Sequence, residues 1–313
     1  MKSASRFLMY CAHLAGWLAF CLASGATIGA EKDEGGTTVS YHRHVTALLG
    51  KLGCNGGSCH GAVKGRNGFR LSMFSADPVG DHARLVREFE GRRLDLFAPD
   101  DSLVLLKATG RVPHRGGVRT QVGSREYRAL RDWIAAGAPA DDESASRLVK
   151  LEVTPREHVA KAGEQFSLRA VARFVDGREE DVTWLCSFES LDRAVAAVDS
   201  DGRVTAMMTG DAGLVVRYRA QPAIARVIVP RAAESTNNKS IEVAQKEAGQ
   251  RAAAANFIDS HVLAKLDRLN LPATSVCDDA TFFRRLHLDV TGRLPEADAV
   301  REFLADQHPD KRQ

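Results

Sequence analysis

At 313 residues, with 44% hydrophobic and 27% charged positions, the chain has the composition of a soluble globular protein and the length for two or three domains. A formal net charge of +3 with no basic stripe on any one element argues against nucleic acid or an anionic membrane as partner.

In chain order, Lys2 and Arg6 precede a mostly apolar run from Phe7 to Leu22, followed by small residues at Ser24, Gly25, Ala26, Gly29 and Ala30. This reads as a secretory signal peptide over 1–30, cut after Ala26 or Ala30, with a permanent N-terminal anchor as the alternative. Phe20 stands before Cys21 where a lipoprotein signal needs a small residue, which argues against a lipid anchor. Export leaves Cys54, Cys59, Cys186 and Cys277 in the mature chain, too few for a disulfide scaffold.

Two of these cysteines lie in Cys54-Asn55-Gly56-Gly57-Ser58-Cys59-His60-Gly61. Covalent haem attachment needs two thiols for the vinyl groups and a histidine directly after the second. Four residues separate the cysteines instead of the usual two, but Gly56 and Gly57 lack a Cβ and can bulge. The flanks suit a small cytochrome. Val45, Leu48, Leu49 and Leu52 recur at helical spacing before the motif, and Tyr127, Leu130, Trp133 and Ile134 form one face of a helix after it. Gly137 and Pro139 end that second helix, and Asp100 or Asp101 is expected to cap a short one through Leu103–Leu106. An all-α cytochrome-c-like domain over 38–140 follows, with haem c held by Cys54 and Cys59 and His60 as proximal ligand. His114, in a Pro/Gly-rich loop ahead of the last helix, and Met73 are the candidate distal ligands, His114 being preferred and Met73 read rather as core, with an open sixth position as a further alternative. His42, His44 and His82 are expected to be solvated. The same residues also admit a Cys54–Cys59 disulfide or a zinc site.

From Leu151 the pattern changes to short alternating stretches, with a hairpin turn at Asp176-Gly177. Seven strands are expected, in an antiparallel sandwich over 150–231. Val153-Thr154-Pro155, Phe174-Val175-Asp176-Gly177, Asp181-Val182-Thr183, Val204-Thr205-Ala206 and Val227 to Pro230 resemble a group 2 bacterial immunoglobulin-like domain. The resemblance implies a spacer or adhesive module. Asp199, Asp201 and Asp211 are read as turn residues in preference to calcium ligands, and Cys186 as a buried free thiol. A polar linker is expected over 232–252. Three amphipathic helices follow over 253–313, with Asp278 or Asp279 as a cap, and His261 and His287 read as packed or half-exposed.

The whole is similar to a family of large secreted planctomycete proteins that join a cytochrome-c-like region, a group 2 immunoglobulin-like domain and two domains of unknown function. Besides the cysteine motif, Gly68-Phe69-Arg70-Leu71-Ser72, Lys107-Ala108-Thr109-Gly110, Pro113-His114, Trp133-Ile134-Ala135-Ala136-Gly137-Ala138-Pro139 and Leu288-Asp289-Val290-Thr291-Gly292-Arg293-Leu294-Pro295 carry the likeness. The resemblance implies that 253–313 opens the first unknown-function domain and that the chain is a fragment of something longer. The function expected is single-electron transfer by an exported haem protein of the periplasm or cell surface, with a redox partner protein. The alternative is a non-catalytic surface protein with a Cys54–Cys59 disulfide, making cell-surface or polysaccharide contacts through the sandwich. A third reading, a hydrolase, finds no nucleophile-elbow or Ser-His-Asp pattern.

Overall fold

The structure is a computed structural model that describes residues 38–232, 257–273 and 276–312. The signal-peptide reading and nearly all of the linker reading fall outside the described residues.

Ser40 accepts from the Arg43 N–H and starts a π-helical turn, Tyr41–Val45, that runs into α1 (Thr46–Lys51). Val45, Leu48 and Leu49 are buried as their spacing requires. Helix α2 (Pro78–Val86) begins with a proline behind its Asp77 cap. Helix α3 (Leu103–Ala108) is short. Helix α4 (Arg125–Ala135), capped by Ser124, buries Tyr127, Leu130, Trp133 and Ile134. The sequence placed the α3 cap on Asp100 or Asp101. Instead Pro99–Asp101 forms a 3-10 turn, Asp100 accepts from the Tyr127 hydroxyl, and Asp101 pairs with Arg111.

Ten strands follow where seven were expected. The first five are β1 (Leu148–Thr154), β2 (Glu157–Val159), β3 (Gln165–Ser167), β4 (Arg169–Phe174) and β5 (Glu179–Asp181). Then come β6 (Ser187–Ser190), β7 (Ala196–Val198), β8 (Arg203–Ala206), β9 (Gly210–Tyr218) and β10 (Gln221–Val229). They pair in the orders β1-β4-β5, β2-β10-β9-β6 and β3-β8-β7, all antiparallel except β2 with β10. Period-two alternation sends Ala212, Leu214, Val216 and Tyr218 of β9 inward. This is a β-sheet domain of three sheets. Asp199 makes a turn by accepting from the Asp201 and Arg203 N–H groups. Asp211 does not: it lies in β9 and pairs with Arg226 and Lys265, which hold its carboxyl well below the usual range. Cys186 is fully buried, and burial pushes its thiol up to about 12.

The helical region and the sandwich share one contiguous apolar core, from Tyr41 to Val229. Arg43 joins them. It is 5% exposed, with its guanidinium 4.2 Å above the Phe174 ring. Its NH groups donate to Glu180 (2.9 Å), Asp176 (2.6 Å), the Ala145 carbonyl and the Ser146 hydroxyl. The Tyr218 hydroxyl donates to the Arg43 carbonyl at 2.7 Å. On the next turn Lys51 bridges Glu126 and the Trp184 carbonyl. The solvated roles expected for three histidines do not hold. His42 is 5% exposed, His44 bonds Glu180, and His82 bonds the Ala138 carbonyl, because all three face the helix–sandwich and helix–helix contacts.

Helix α5 (Phe257–Arg268) meets the sandwich through Lys265–Asp211 and Arg268–Glu157, and Leu269 is buried with its carbonyl accepting from the Arg231 N–H. Helices α6 (Asp279–Thr291) and α7 (Ala297–Ala305) follow, Asp278 capping α6 through the Thr281 N–H. His261 is exposed and His287 half-exposed against Phe283.

Arg43→Met should lower the unfolding free energy by about 3 kcal/mol in urea titrations followed by circular dichroism, because it leaves Asp176 and Glu180 facing the interface without their cation. The structure also sets an acid response. Burial lowers the His42 pKa below its usual 6.5 against the pull of Asp141 and Glu143. The unfolded chain therefore binds that proton more readily, and stability should fall as pH drops below about 6.5. Asp141 and Glu180 come next. Burial alone would raise both, but hydrogen bonds from Ser40 and His42 to Asp141, and from His44 and Arg43 to Glu180, hold them below the usual carboxylate range. Their contribution is present above about pH 4 and lost below it. His42→Gln should shrink the first loss of urea midpoint, leaving the share of His60, whose pKa burial also lowers, and should leave the second loss unchanged.

Candidate functional site

The cysteine motif closes on itself through its backbone. Cys59 N–H donates to Gly56 C=O, His60 N–H to Cys54 C=O at 3.0 Å, and Gly61 N–H to Gly56 C=O. A Cβ on Gly61 would collide with the carbonyl of Asn55, so glycine is required there. Cys54 is half-buried against the core, and loss of hydration pushes its thiol up to about 11. Cys59 is also half-buried. The Arg119 guanidinium approaches its Sγ at 3.6 Å. Among the described residues the thiols of Cys54, Cys59, Cys186 and Cys277 are unpaired.

His60 is fixed by the next turn. Gly65, Asn67 and Gly68 take positive φ, which folds Arg66 back to pair with Phe69. The Phe69 carbonyl then lies 3.1 Å from His60 Nδ1, with its ring 4.6 Å from the imidazole. A carbonyl can only accept, so Nδ1 carries the proton and Nε2 keeps its lone pair. Burial lowers the His60 pKa, reinforced by His114 and Arg93 against the Phe69 bond, which favours this neutral form. Arg93, 7% exposed, braces the turn by lying 4.4 Å over Phe69 and donating to the Gly68 carbonyl.

His114 arrives from the loop between α3 and α4. Its Nδ1 lies 3.1 Å from the Gly117 carbonyl, so its Nε2 is also the lone-pair nitrogen. The His60 and His114 rings are parallel within 7°, with centroids 6.4 Å apart. The four residues singled out in the sequence, Cys54, Cys59, His60 and His114, lie on two adjacent loops, and two unpaired thiols with two imidazoles are the donor types that haem c takes. Met73 is corrected. It is 46% exposed rather than in the core, with its methyl carbon 4.0 Å from where a Cβ on Gly57 would stand. Arg119 and Arg93 were missed, since nothing in their local sequence signals a neighbour 60 or 24 positions away. Among the described residues no group of three or more His, Cys, Asp and Glu is placed to hold a metal ion, and no helix is long and apolar enough to cross a membrane.

Residues 257–313 match the family model PSCyt2, described as a protein of unknown function (DUF1549). This accords with the expectation that an unknown-function domain opens there. No curated protein matches the chain. Among solved structures, domains 5–6 of the S-layer protein SbsC align over 29% of this chain at 13% identity and a TM-score of 0.25, and the matched part spans 48% of that chain. An intimin mutant from EHEC O157:H7 aligns over 38% of this chain and 68% of its own, at 14% identity and a TM-score of 0.22. Scores this low carry no argument about this chain, and the sandwich rests on its own strand pairing.

Gly61→Ala should open the motif loop. It is expected to cost about 2 kcal/mol in urea unfolding, and to speed alkylation of Cys54 by iodoacetamide severalfold in a timed mass-spectrometric assay.

Proposed function

We propose that the chain is an exported protein of the periplasm or cell surface whose region 38–140 is cytochrome-c-like and carries haem c, with the sandwich over 150–231 as a non-catalytic surface module. The observation that supports this most is the stacked His60–His114 pair on the loops that also carry two unpaired thiols. Cys54 and Cys59 are the thioether links, His60 the proximal ligand and His114 the distal one. When bound, the haem supplies a site that accepts and releases single electrons. The protein's own part is to orient both imidazoles through the Phe69 and Gly117 carbonyls, the outer contacts that fix a ligand's tautomer. The S-layer and intimin names belong to surface proteins and say nothing of haem.

A second reading rests on the same loop. Cys54 and Cys59 sit in one backbone-knit turn, and oxidation would close it as a disulfide, leaving a surface interaction protein that meets cell-surface components or polysaccharide through the sandwich.

A pyridine haemochrome spectrum on protein made in a host with cytochrome c maturation separates the two. About one haem per chain that survives acid-acetone extraction is expected, falling to background in Cys54→Ala/Cys59→Ala. His114→Ala should keep the covalent haem and lose the low-spin bis-histidine signature. A colourless protein with a Cys54–Cys59 disulfide in non-reducing mass analysis would replace this reading with the second.

A further inference from the structure

Four cations stand around the His60–His114 pair, and each is tied to one of the two loops that carry it. The Arg66 guanidinium faces the Ser58 carbonyl at 3.4 Å, one residue from Cys59. Arg119 faces Cys59 itself. Lys107 donates to the Pro113 carbonyl at 2.6 Å, one residue before His114, and Arg115 follows His114 directly. Among the described residues none of the four has a carboxylate partner, whereas Arg43, Arg84, Arg93, Arg111 and Arg226 all do. Arg66, Arg115 and Arg119 are exposed, and so are the apolar Val63 (87%) and Val118 (66%) on the same loops. Gly110 brings Val118 in close, because a Cβ there would meet the valine side chain at 2.8 Å.

Apart from Glu90, which is exposed beside Phe89, the acidic residues of the surrounding elements are engaged elsewhere. Asp77 and Asp81 bond Arg84, and Asp95 accepts from the Phe97 and Ala98 N–H groups. Asp100 takes the Tyr127 hydroxyl, and Glu126 takes Lys51. The mouth of the site is thus a local positive field with apolar residues between the charges, on a protein whose overall charge is near balance. Uncompensated guanidinium groups at a surface steer a partner of opposite sign and set its approach, and they contribute to encounter rate more than to final affinity. A cluster of separate cations alternating with apolar residues suits a folded partner with spaced carboxylates better than a continuous anionic polymer.

We propose that Arg66, Lys107, Arg115 and Arg119 form the docking rim for an acidic electron-transfer protein at the mouth of the His60–His114 site. The nature of the partner rests on the haem reading, whereas the rim itself does not. With salt the steering must weaken, since opposite charges are screened beyond about 8 Å at physiological ionic strength.

The test uses the full chain with small redox probes. Reduced haem-loaded protein is mixed in stopped flow with ferricyanide, an anion, and with hexaammineruthenium(III), a cation, from low to high salt. Oxidation by ferricyanide should slow about tenfold as salt rises, with the opposite slope for the ruthenium complex. Arg66→Glu/Arg115→Glu should flatten or reverse the ferricyanide slope while leaving the haem spectrum unchanged. Equal slopes for the two probes, or no response to the double substitution in a protein that still carries haem, would overturn the rim. If the preparation carries no haem, the functional reading fails separately, and the rim is then read by fluorescence anisotropy with labelled poly-L-glutamate. Binding that weakens severalfold in the double variant supports the rim, and no binding overturns it. Heparin binding at least tenfold tighter than poly-L-glutamate would assign the patch to an anionic polysaccharide and overturn the protein partner.

Discussion

Arg43 leaves the first helical turn and places its charge inside the seam between the helices and the sandwich. An isolated buried guanidinium is strongly disfavoured, and it is tolerated here because its donors are satisfied by two carboxylates, a carbonyl and a hydroxyl, with the Phe174 face beneath it. Those partners come from the connection ahead of β1, from the β4–β5 hairpin and from β5 itself. The Asp176-Gly177 turn is therefore more than a strand connection: its aspartate is half of the counter-charge. Tyr218 completes the seam from β9 by donating back to the Arg43 carbonyl. The burial of Tyr41, Val45 and Leu48 against both layers follows from that alignment.

The site hangs from the same helix. Helix α1 ends at Lys51, and the Cys54 N–H still bonds the Leu49 carbonyl, so the motif loop starts from a fixed point in the core. Backbone carbonyls do the rest. Phe69 and Gly117 each hold one imidazole through Nδ1, and the Leu71 N–H bonds the His60 carbonyl. Loops positioned this way can be exposed and chemically reactive while a rigid scaffold sets their geometry. The exposed arginines belong to that division: they bond the loops only through backbone oxygen or sulfur, and their charge is left to act on solvent and partners.

Much of this was legible in the sequence because it depends on local pattern. The α4 face, the inward alternation of β9, the hairpin at Asp176-Gly177, the Asp278 cap and the Cys-His loop all follow from spacing and turn chemistry. His114 was legible only as a histidine in a Pro/Gly-rich loop, and its place opposite His60 needed the fold. Other features were not legible, for a common reason. Arg43 and Glu180, Arg119 and Cys59, and Arg93 and Phe69 meet across long stretches of chain, and no periodicity carries that pairing. His42 and His44 read as solvated because no ligand context surrounds them in sequence, yet Asp141 takes the His42 N–H and Glu180 of β5 bonds the His44 ring. Met73 read as core from its apolar neighbours Leu71 and Phe74, but positive φ at Phe74 and Ser75 turns the chain outward there.

The claim on which the account turns is that the helical region and the sandwich form one cooperative body through the Arg43 seam. Native-state hydrogen exchange on the full chain tests it most directly, read by mass spectrometry on peptides covering 41–51 and 169–181 in increasing urea. The account predicts that the amides of both segments open with the same free energy and the same urea dependence, and that Arg43→Met lowers both together. Helical amides that exchange through a separate, lower-energy opening while the strands stay protected would contradict it.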